Sequence, residues 1–128
     1  MAESIQALGG AIEFTAVSEW DLSAKQYLGV RMSTAVDGAV RVASLVGIAI
    51  VGVVQNKPTS GRAARVRTHG ISKGVAGSAI TRGDRLDVDA GGYFRTSVSS
   101  NYAGIALETV VTSGTFKMLL NPQYGGAA

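Results

Sequence analysis

The 128-residue sequence contains no cysteine and few charged residues. The absence of cysteine excludes disulfide bonds, thiolate zinc sites and cysteine nucleophiles. Charged residues make up 16% of the chain, whereas about 25% is usual in globular domains. With so few charges, much of the surface must consist of small neutral residues. A surface of that kind often packs against another chain, although glycine-rich turns of a β fold would also supply it.

Long hydrophobic segments are also absent. The longest apolar run, ASLVGIAIVGVV at 43–54, is too short to span a bilayer. The first ten residues, MAESIQALGG, lack both the basic segment and the apolar core of a signal peptide. We therefore expect a soluble protein that is not secreted by the classical route and has no membrane partner. A chain of this length forms one domain and buries about two-thirds of its unfolded surface.

What the sequence does contain is alternation of apolar and polar residues. It is clearest at 11–17 (AIEFTAV), 62–71 (RAARVRTHGI), 102–111 (YAGIALETVV) and 115–120 (TFKMLL). A period of two residues is typical of half-buried strands, and strands at this spacing favour a small barrel or sandwich. The predicted fold is all-β, a small antiparallel β-barrel or sandwich (β-tulip-like) with an extended N-terminal arm. Its expected divisions are an arm at 1–12, a barrel at 13–121 and a C-terminal tail at 122–128.

Two segments do not fit a simple strand. The run 39–55 is too long and too rich in glycine, so we expect a bend or bulge at Gly47 and Gly52. The segment 18–28 begins with a candidate N-cap, Ser18, and carries apolar residues at helical spacing. A helix and an irregular loop both remain open for it.

The stretch GDRLDVDAGGYF at 83–94 places three aspartates ahead of a glycine pair. Acidic residues at alternate positions before a glycine are typical of a calcium loop, but also of the outer face of a β-hairpin. Counted from Asp87, an EF-hand loop would have Val98 at its twelfth position, where a glutamate is required. Apolar residues alternate with Asp87 and Asp89, as in a strand. The sequence therefore predicts a metal-independent hairpin with these two aspartates on its exposed face.

Other motifs give no support for catalysis. RGD at 82–84 is short enough to arise by chance, and GISKGVAGS at 70–78 lacks the G-K-[ST] ending of a phosphate-binding loop. His69 is the only histidine, so an imidazole metal site would need carboxylates around it. A nucleophilic pairing of His69 with Ser72 has no local support. We expect no enzymatic activity, no cofactor and no bound metal.

Positive charge is concentrated in the middle of the chain. No acidic residue lies within 38–83, whereas seven Lys and Arg residues do. The alternation places Arg65, Arg67 and His69 on one strand face, which fits a nucleic acid or an acidic protein surface, or is simply solvated. A nucleic-acid site also needs aromatic residues for stacking, and 38–83 contains none. A protein partner is therefore favoured.

Several of these segments occur in an order that resembles a known family. They are DLSAKQY (21–27), VGVVQNKPTSGRAARVRTHGISKGVAGSAITRGDRL (51–86), DAGGYF (89–94) and AGIALET (103–109). Their order and spacing resemble those of the small capsid decoration, or cement, proteins of tailed bacteriophages. In that family a G-V-x-Q-N-x-P turn precedes a V-x-x-x-G-x-x-K strand, an A-x-x-x-G-D-x-L step, a D-x-x-G hairpin and a G-x-A-L-E strand. The resemblance covers most of the predicted barrel.

The resemblance implies a non-enzymatic structural protein, made in the host cytoplasm and located in the virion on the outer surface of the capsid. The expected partners are the major capsid protein, whose neighbouring subunits it would clamp, and further copies of this chain in a homotrimer, without nucleic acid. Relatives often carry an acidic residue where this chain has Arg62, so the charge of the partner surface is expected to differ. The candidate contact residues are Ile5, Leu8, Trp20, Arg62, Arg65 and Arg67.

Two other classes of function stay open at this point. One is a small β-barrel that binds nucleic acid, which would lose affinity steeply with salt. The other is a carbohydrate-binding or enzyme-accessory module on a virion or cell surface. Binding to empty, DNA-free capsids would separate decoration from the first.

Overall fold

The computed structural model describes residues 12–98 and 101–124, and within these residues the protein contains strands and no helix. The all-β prediction is therefore confirmed. Among the strand pairs, only β1 with β3 is parallel. The strands are β1 Ile12–Ser18, β2 Gly29–Met32, β3 Ala39–Val42, β4 Gly52–Val54, β5 Ala63–Val75, β6 Arg85–Val88, β7 Phe94–Thr96, β8 Asn101–Ala106 and β9 Thr115–Tyr124.

The first five strands pair in a closed ring, called here the first ring. β1 pairs with β3, β3 with β2, β2 with β4, β4 with the first half of β5, and β5 pairs again with β1. Every one of these strands contributes small apolar side chains to one core, as expected when alternate residues point into a narrow ring. That core comprises Ala16, Leu22, Val30, Val40, Val54, Ala64 and Val66.

The remaining strands form a second ring that shares β5. The second half of β5 pairs with β9, β9 with β8, β8 with β6 and β6 with β7, and Phe94 forms a bridge with Ala76 just after β5. In its larger core Phe94 and Phe116 meet edge to face with ring centroids 6.2 Å apart. Such a pair contributes about 0.5–1.5 kcal/mol beyond its buried area. Ile50 and Val53 join this core, so the two rings pack against each other.

The shared strand β5 changes partners at Gly70. Up to His69 it pairs with β1, and from Gly70 onward it pairs with β9. Gly70 has a φ of +103°, a backbone conformation that is strained for any residue with a Cβ. A strand that bends in this way makes a corner between two sheets. The sequence predicted a strand ending at residue 71, whereas β5 continues through Val75.

The segment 18–28 is an irregular loop, so the helix alternative is wrong. Tyr27 has a φ of +67°, which no right-handed helix contains. Its amide donates instead to the carbonyl of Val54 at 2.8 Å. Of the apolar residues at helical spacing (Trp20, Ala24, Tyr27 and Leu28), only Leu28 is buried, so that spacing does not mark a buried face.

The bend expected within 39–55 lies between two strands. β3 ends at Val42, β4 begins at Gly52, and Gly47 in the connection has a φ of +69°. The bend at Gly47 is confirmed. Gly52 is part of β4, where a Cβ would collide with the carbonyl of Arg67 on β5; glycine there permits close strand approach.

Strand pairing reaches slightly past the predicted borders of the barrel, since β1 begins at Ile12 and β9 ends at Tyr124. The rest of the predicted arm at 1–12 lies outside the described residues, as does the end of the predicted tail at 122–128. Across 12–98 and 101–124, no helical segment has the length and hydrophobicity needed to cross a membrane.

Two turns of the second ring, 76–86 and 106–116, bond to each other reciprocally. Ile80 and Val110 exchange two backbone hydrogen bonds of 2.9 Å each. Equivalent bonds of 2.8 Å run from the amide of Gly83 to the carbonyl of Ala106 and from the amide of Ser113 to the carbonyl of Ala76. This exchange joins the segments that lead into β6 and β9.

Candidate functional site

The aspartates at 83–94 build a hairpin. β6 and β7 pair in antiparallel register around the glycine turn, which confirms the predicted hairpin. Asp89 accepts hydrogen bonds from the amides of Gly91 and Tyr93 at 2.9 and 3.1 Å, so its carboxylate holds the turn. Asp84 accepts from the Thr81 amide and the Thr96 hydroxyl, both at 3.0 Å. The described part of the chain contains no group of three or more acidic or histidine side chains arranged to hold a metal ion.

The predicted exposed position of Asp87 is wrong. Its side chain is 2% exposed and forms a two-point ion pair with Arg95, directly opposite on β7, at 2.6 and 3.2 Å. The guanidinium supplies the charge and hydrogen bonds that a buried carboxylate requires. A second contact comes from the amide of Val98 at 3.4 Å. Asp87 is therefore a structural residue of the second ring.

Arg65 and Arg67 lie on the outer side of the first ring, as the alternation predicted. Both approach one carboxylate on β1, that of Glu13. Arg67 contacts it through Nη2 at 2.6 Å and Nε at 2.8 Å, and Arg65 approaches through Nε at 3.5 Å. Arg67 also donates to the carbonyl of Ile71 at 2.7 Å. One carboxylate thus serves two guanidinium groups, and the local charge remains positive.

An open groove of about 370 Å³ lies beside these arginines. It is lined by Tyr27, Gln55, Arg65, Arg67, Ile71, Ser72, Lys73 and Lys117. The Nζ atom of Lys73 lies 5.6 Å from the centre of the Tyr27 ring, within the range of a cation–π contact. The groove therefore presents four cationic side chains around an aromatic ring.

An exposed apolar row continues from this groove across three strands. Ile71 on β5 lies directly opposite Leu119 on β9, which lies opposite Ile105 on β8. Their side chains are 54%, 43% and 41% exposed. Scattered apolar residues are normal on a protein surface, whereas a contiguous set marks an interaction site. We call the surface formed by Arg65, Ile71, Lys73, Ile105, Lys117 and Leu119 the β5–β9 face.

The other predicted contact residues lie elsewhere. Trp20 follows β1, is 43% exposed and has the Arg41 guanidinium 5.1 Å from its ring centre. Arg62 is exposed in the turn before β5, and its carbonyl accepts from the amide of Ser18 at 2.9 Å. Arg62 and Trp20 thus both lie beside Ser18, at the end of β1 opposite to Glu13. Ile5 and Leu8 lie outside the described residues.

The residues weighed for catalysis are not placed as a catalytic pair. His69 is exposed, and its Nδ1 lies 3.1 Å from the Thr68 hydroxyl. Ser72 is buried, where its hydroxyl accepts from Gln55 at 3.0 Å and donates to the carbonyl of Lys73 at 2.9 Å. Nucleophilic activation needs a base within hydrogen-bond reach of the hydroxyl, whereas the Ser72 hydroxyl bonds to the side-chain amide of Gln55 and the carbonyl of Lys73.

Sequence reasoning missed the contribution of β9 to this surface. The alternation at 115–120 does place Lys117 and Leu119 on the face away from the core, but nothing local shows which strand lies beside them. Their neighbours Lys73 and Ile71 are more than forty residues away in the chain. The alternation in β9 predicts which of its side chains are exposed. It does not predict that β9 pairs with β5, which is what brings these side chains together.

Comparison with known proteins gives the class: this is a phage capsid-associated structural protein. The family model for phage cement proteins matches residues 24–121, well over half of the chain. The chain therefore belongs to the phage cement protein family, which confirms the resemblance seen in the sequence. No match to a curated protein was found.

A solved structure shares the fold. The head fiber gp8.5 N base in bacteriophage phi29 is similar with a TM-score of 0.70 and 19% sequence identity, over 87% of this chain and 94% of that chain. At this identity the likeness concerns the fold alone. It shows that the architecture described above occurs in another phage head component.

Proposed function

We propose that this protein decorates the outer surface of the mature phage head and binds the major capsid protein, stabilising the contacts between neighbouring subunits. The observation that carries the proposal is the β5–β9 face, an exposed apolar row beside a basic groove on a chain of the cement family. Such a face is suited to a protein partner because apolar area supplies affinity and charge supplies orientation. The protein acts by binding and performs no catalysis.

Stabilisation by such a protein follows from linkage. A ligand that binds only the expanded lattice lowers the free energy of that state by RT ln(1 + [L]/Kd), about 2.7 kcal/mol per site at a concentration one hundred times Kd. A homotrimer would repeat the contact about a closed axis, and each further contact would form at a high effective concentration. Weak individual contacts would then suffice to hold the lattice.

The N-terminal arm at 1–12 is proposed as a second contact. Ile5 and Leu8 lie three positions apart in a segment that ends in a Gly9-Gly10 pair. Each would contribute about 1.5–3 kcal/mol if fully buried in a groove of a capsid subunit, less the free energy of ordering the segment. Trp20 and Arg62 are proposed as contacts at the other end of β1.

The experiment is reconstitution on heads that lack this protein. Expanded DNA-free heads and unexpanded proheads are mixed with the purified protein, sedimented, and examined by cryo-electron microscopy. We expect saturable binding to expanded heads, density on the outside of the shell at threefold positions, and a higher temperature of head disruption. Failure to bind expanded heads, or density inside the shell, would contradict the proposal.

Nucleic-acid binding is the second candidate, because the structure brings Tyr27 to the basic groove. An aromatic ring beside cations is the pattern on which single-stranded bases stack. Lys73 already lies over that ring, however, and Glu13 lies beside Arg65 and Arg67. An oligonucleotide that binds with micromolar or tighter affinity and a steep salt dependence would favour this second function.

A further inference from the structure

The β5–β9 face has an internal order that goes beyond a basic patch. Lys73 and Lys117 are direct cross-strand partners, and Ile71 and Leu119 are direct partners two residues further along. Two residues of a strand span roughly 7 Å. The face therefore presents an apolar pair and a cationic pair side by side, at the spacing of alternate residues of an extended chain.

The cationic pair is unfavourable in the isolated protein. Like charges directly opposite each other on adjacent strands destabilise a sheet. Within residues 12–98 and 101–124, no carboxylate oxygen lies within 4.0 Å of the side-chain ammonium nitrogen of either Lys73 or Lys117. The Lys73 ammonium instead lies over the Tyr27 ring, 5.6 Å from its centre. An anion placed between the two ammonium groups would offset their repulsion, so binding of a negatively charged group is favourable at this position.

The neighbouring acidic residues limit what kind of anion fits. The groove has four cations, Arg65, Arg67, Lys73 and Lys117, and two carboxylates at its margin. These are Glu13, on the two arginines, and Glu108, which accepts from the Lys117 amide at 2.8 Å. A continuous phosphate chain would meet both carboxylates and make no use of the apolar row. A peptide with separated carboxylates and apolar side chains would use both.

We propose that the β5–β9 face binds an extended acidic segment of the major capsid protein, in which a carboxylate and an apolar side chain lie two residues apart and therefore on the same face of the chain. One carboxylate lies between Lys73 and Lys117, and the apolar side chain two residues away packs on Ile71 and Leu119. This inference rests on the proposed function and specifies the part of the surface and the chemistry of the partner. It also gives a reason for the two lysines to be opposite each other.

The charge part is tested with a double reversal and a matched control. Lys73→Glu with Lys117→Glu is compared with Lys57→Glu and Arg82→Glu, which changes net charge equally at two exposed residues outside the groove. Binding to DNA-free expanded heads is measured at moderate salt. We expect the first variant to bind at least about tenfold more weakly and the control to stay within about twofold of the unmodified protein.

The apolar part is tested in the same way. Ile71→Thr with Leu119→Thr removes the apolar pair while keeping residues that suit a strand. Val98→Thr with Val111→Thr is the control, because those side chains are 80% and 74% exposed away from the face. We expect about tenfold weaker binding for the first pair and no more than about twofold for the control. Thermal unfolding of all four variants checks that the fold is retained.

A third measurement separates peptide from nucleic acid. The probes are a synthetic peptide with the repeat Glu-Ser-Leu-Ser (the Glu-Leu peptide), which places Glu and Leu on the same face of an extended chain, a peptide with the repeat Glu-Ser-Ser-Ser, and a single-stranded oligonucleotide of equal charge. We expect the Glu-Leu peptide to bind best and to compete with heads. Tighter binding of the oligonucleotide, or equal binding of both peptides, would overturn the inference.

The outcomes for the two proposals are distinguishable. If the unmodified protein does not bind heads, the proposed function fails and this inference fails with it. If the unmodified protein binds and the face variants bind as tightly as their controls, the proposed function stands and the β5–β9 face is not the docking site.

Discussion

The two rings each contain one ion pair between directly opposite residues of adjacent strands, and the pairs differ chiefly in burial. In the first ring Glu13 and Arg67 meet at 2.6 Å with side chains 29% and 24% exposed. In the second ring Asp87 and Arg95 also meet at 2.6 Å, but Asp87 is 2% exposed. The two pairs therefore differ in interaction energy although their distances are equal, because the strength of a charge interaction depends on the surrounding medium.

The difference in burial determines how much free energy is lost when each ion pair is broken. A buried carboxylate that loses its partner keeps its desolvation penalty, so the Asp87–Arg95 pair cannot be broken cheaply. A half-exposed pair exchanges its partner for water at little cost. The Glu13 pair lies at the edge of the β5–β9 face, where the proposed capsid partner would exchange with that water. The second ring thus buries the carboxylate of its ion pair, whereas the first ring leaves its pair accessible to solvent.

The largest effect is expected from Asp87→Ala. The change leaves the Arg95 guanidinium without its carboxylate in a mostly buried position, and we expect a loss of about 3 kcal/mol in the free energy of unfolding, the lower end of the range for broken buried pairs because Arg95 reaches solvent. Urea denaturation measures it. Arg95→Ala should cost a similar amount, and a loss below about 1 kcal/mol for both variants would remove the distinction between the two pairs.

The second effect concerns the strand that joins the rings. Gly70→Ala places a Cβ at a φ of +103°, and we expect it to cost about 1–3 kcal/mol. His69→Ala is the control, because His69 precedes Gly70 in the same strand but does not itself have a positive φ. Denaturation followed by Trp20 fluorescence, which reports the first ring, and by circular dichroism, which reports both, shows whether the rings still unfold together. An unchanged stability would mean that the bend in β5 is not strained by a side chain.

Local periodicity predicted one part of this comparison and missed the other. The alternation at 62–71 placed Arg65 and Arg67 outside because facing in a strand depends on neighbours two residues away. The same rule placed Asp87 outside and was wrong. Arg95, opposite Asp87 on the hairpin, compensates the desolvation of the buried carboxylate. The pairing of Lys73 with Lys117 likewise depends on which strands become neighbours. The side of a strand on which a residue lies follows from the local sequence. The residue opposite it on the neighbouring strand depends on the fold of the whole chain.

The third effect tests whether the rings or the arm hold the capsid. Deleting residues 2–10 should leave the melting temperature unchanged, because the deletion stops before Ile12, where the first strand of the described residues begins. Binding to expanded heads should weaken at least about tenfold, which corresponds to about 1.4 kcal/mol. Calorimetry and head sedimentation measure the two quantities. If the truncated protein binds as tightly as the intact chain, all contacts belong to the two rings.

The smallest effect on stability, and the sharpest test of the comparison, is expected from Glu13→Gln. The amide keeps the size of the side chain but removes the charge between Arg65 and Arg67. Since the pair is half exposed, we expect the free energy of unfolding to fall by only about 0.2–1 kcal/mol, and by less at high salt. The conservative change at the buried pair, Asp87→Asn, should cost clearly more in the same assay.

Binding should change in the opposite direction to stability. With Glu13 neutral, the groove gains one net positive charge beside Arg65, and an acidic segment no longer competes with an internal carboxylate. We expect the Glu-Leu peptide and the expanded heads to bind Glu13→Gln several-fold more tightly at low salt, with the gain shrinking as salt rises, because exposed charges are screened within about 10 Å at 0.1 M ionic strength. Titrations at two salt concentrations measure this. An affinity that stays constant or falls would show that the first-ring pair serves the fold, as the second-ring pair does, and is not held available for a partner.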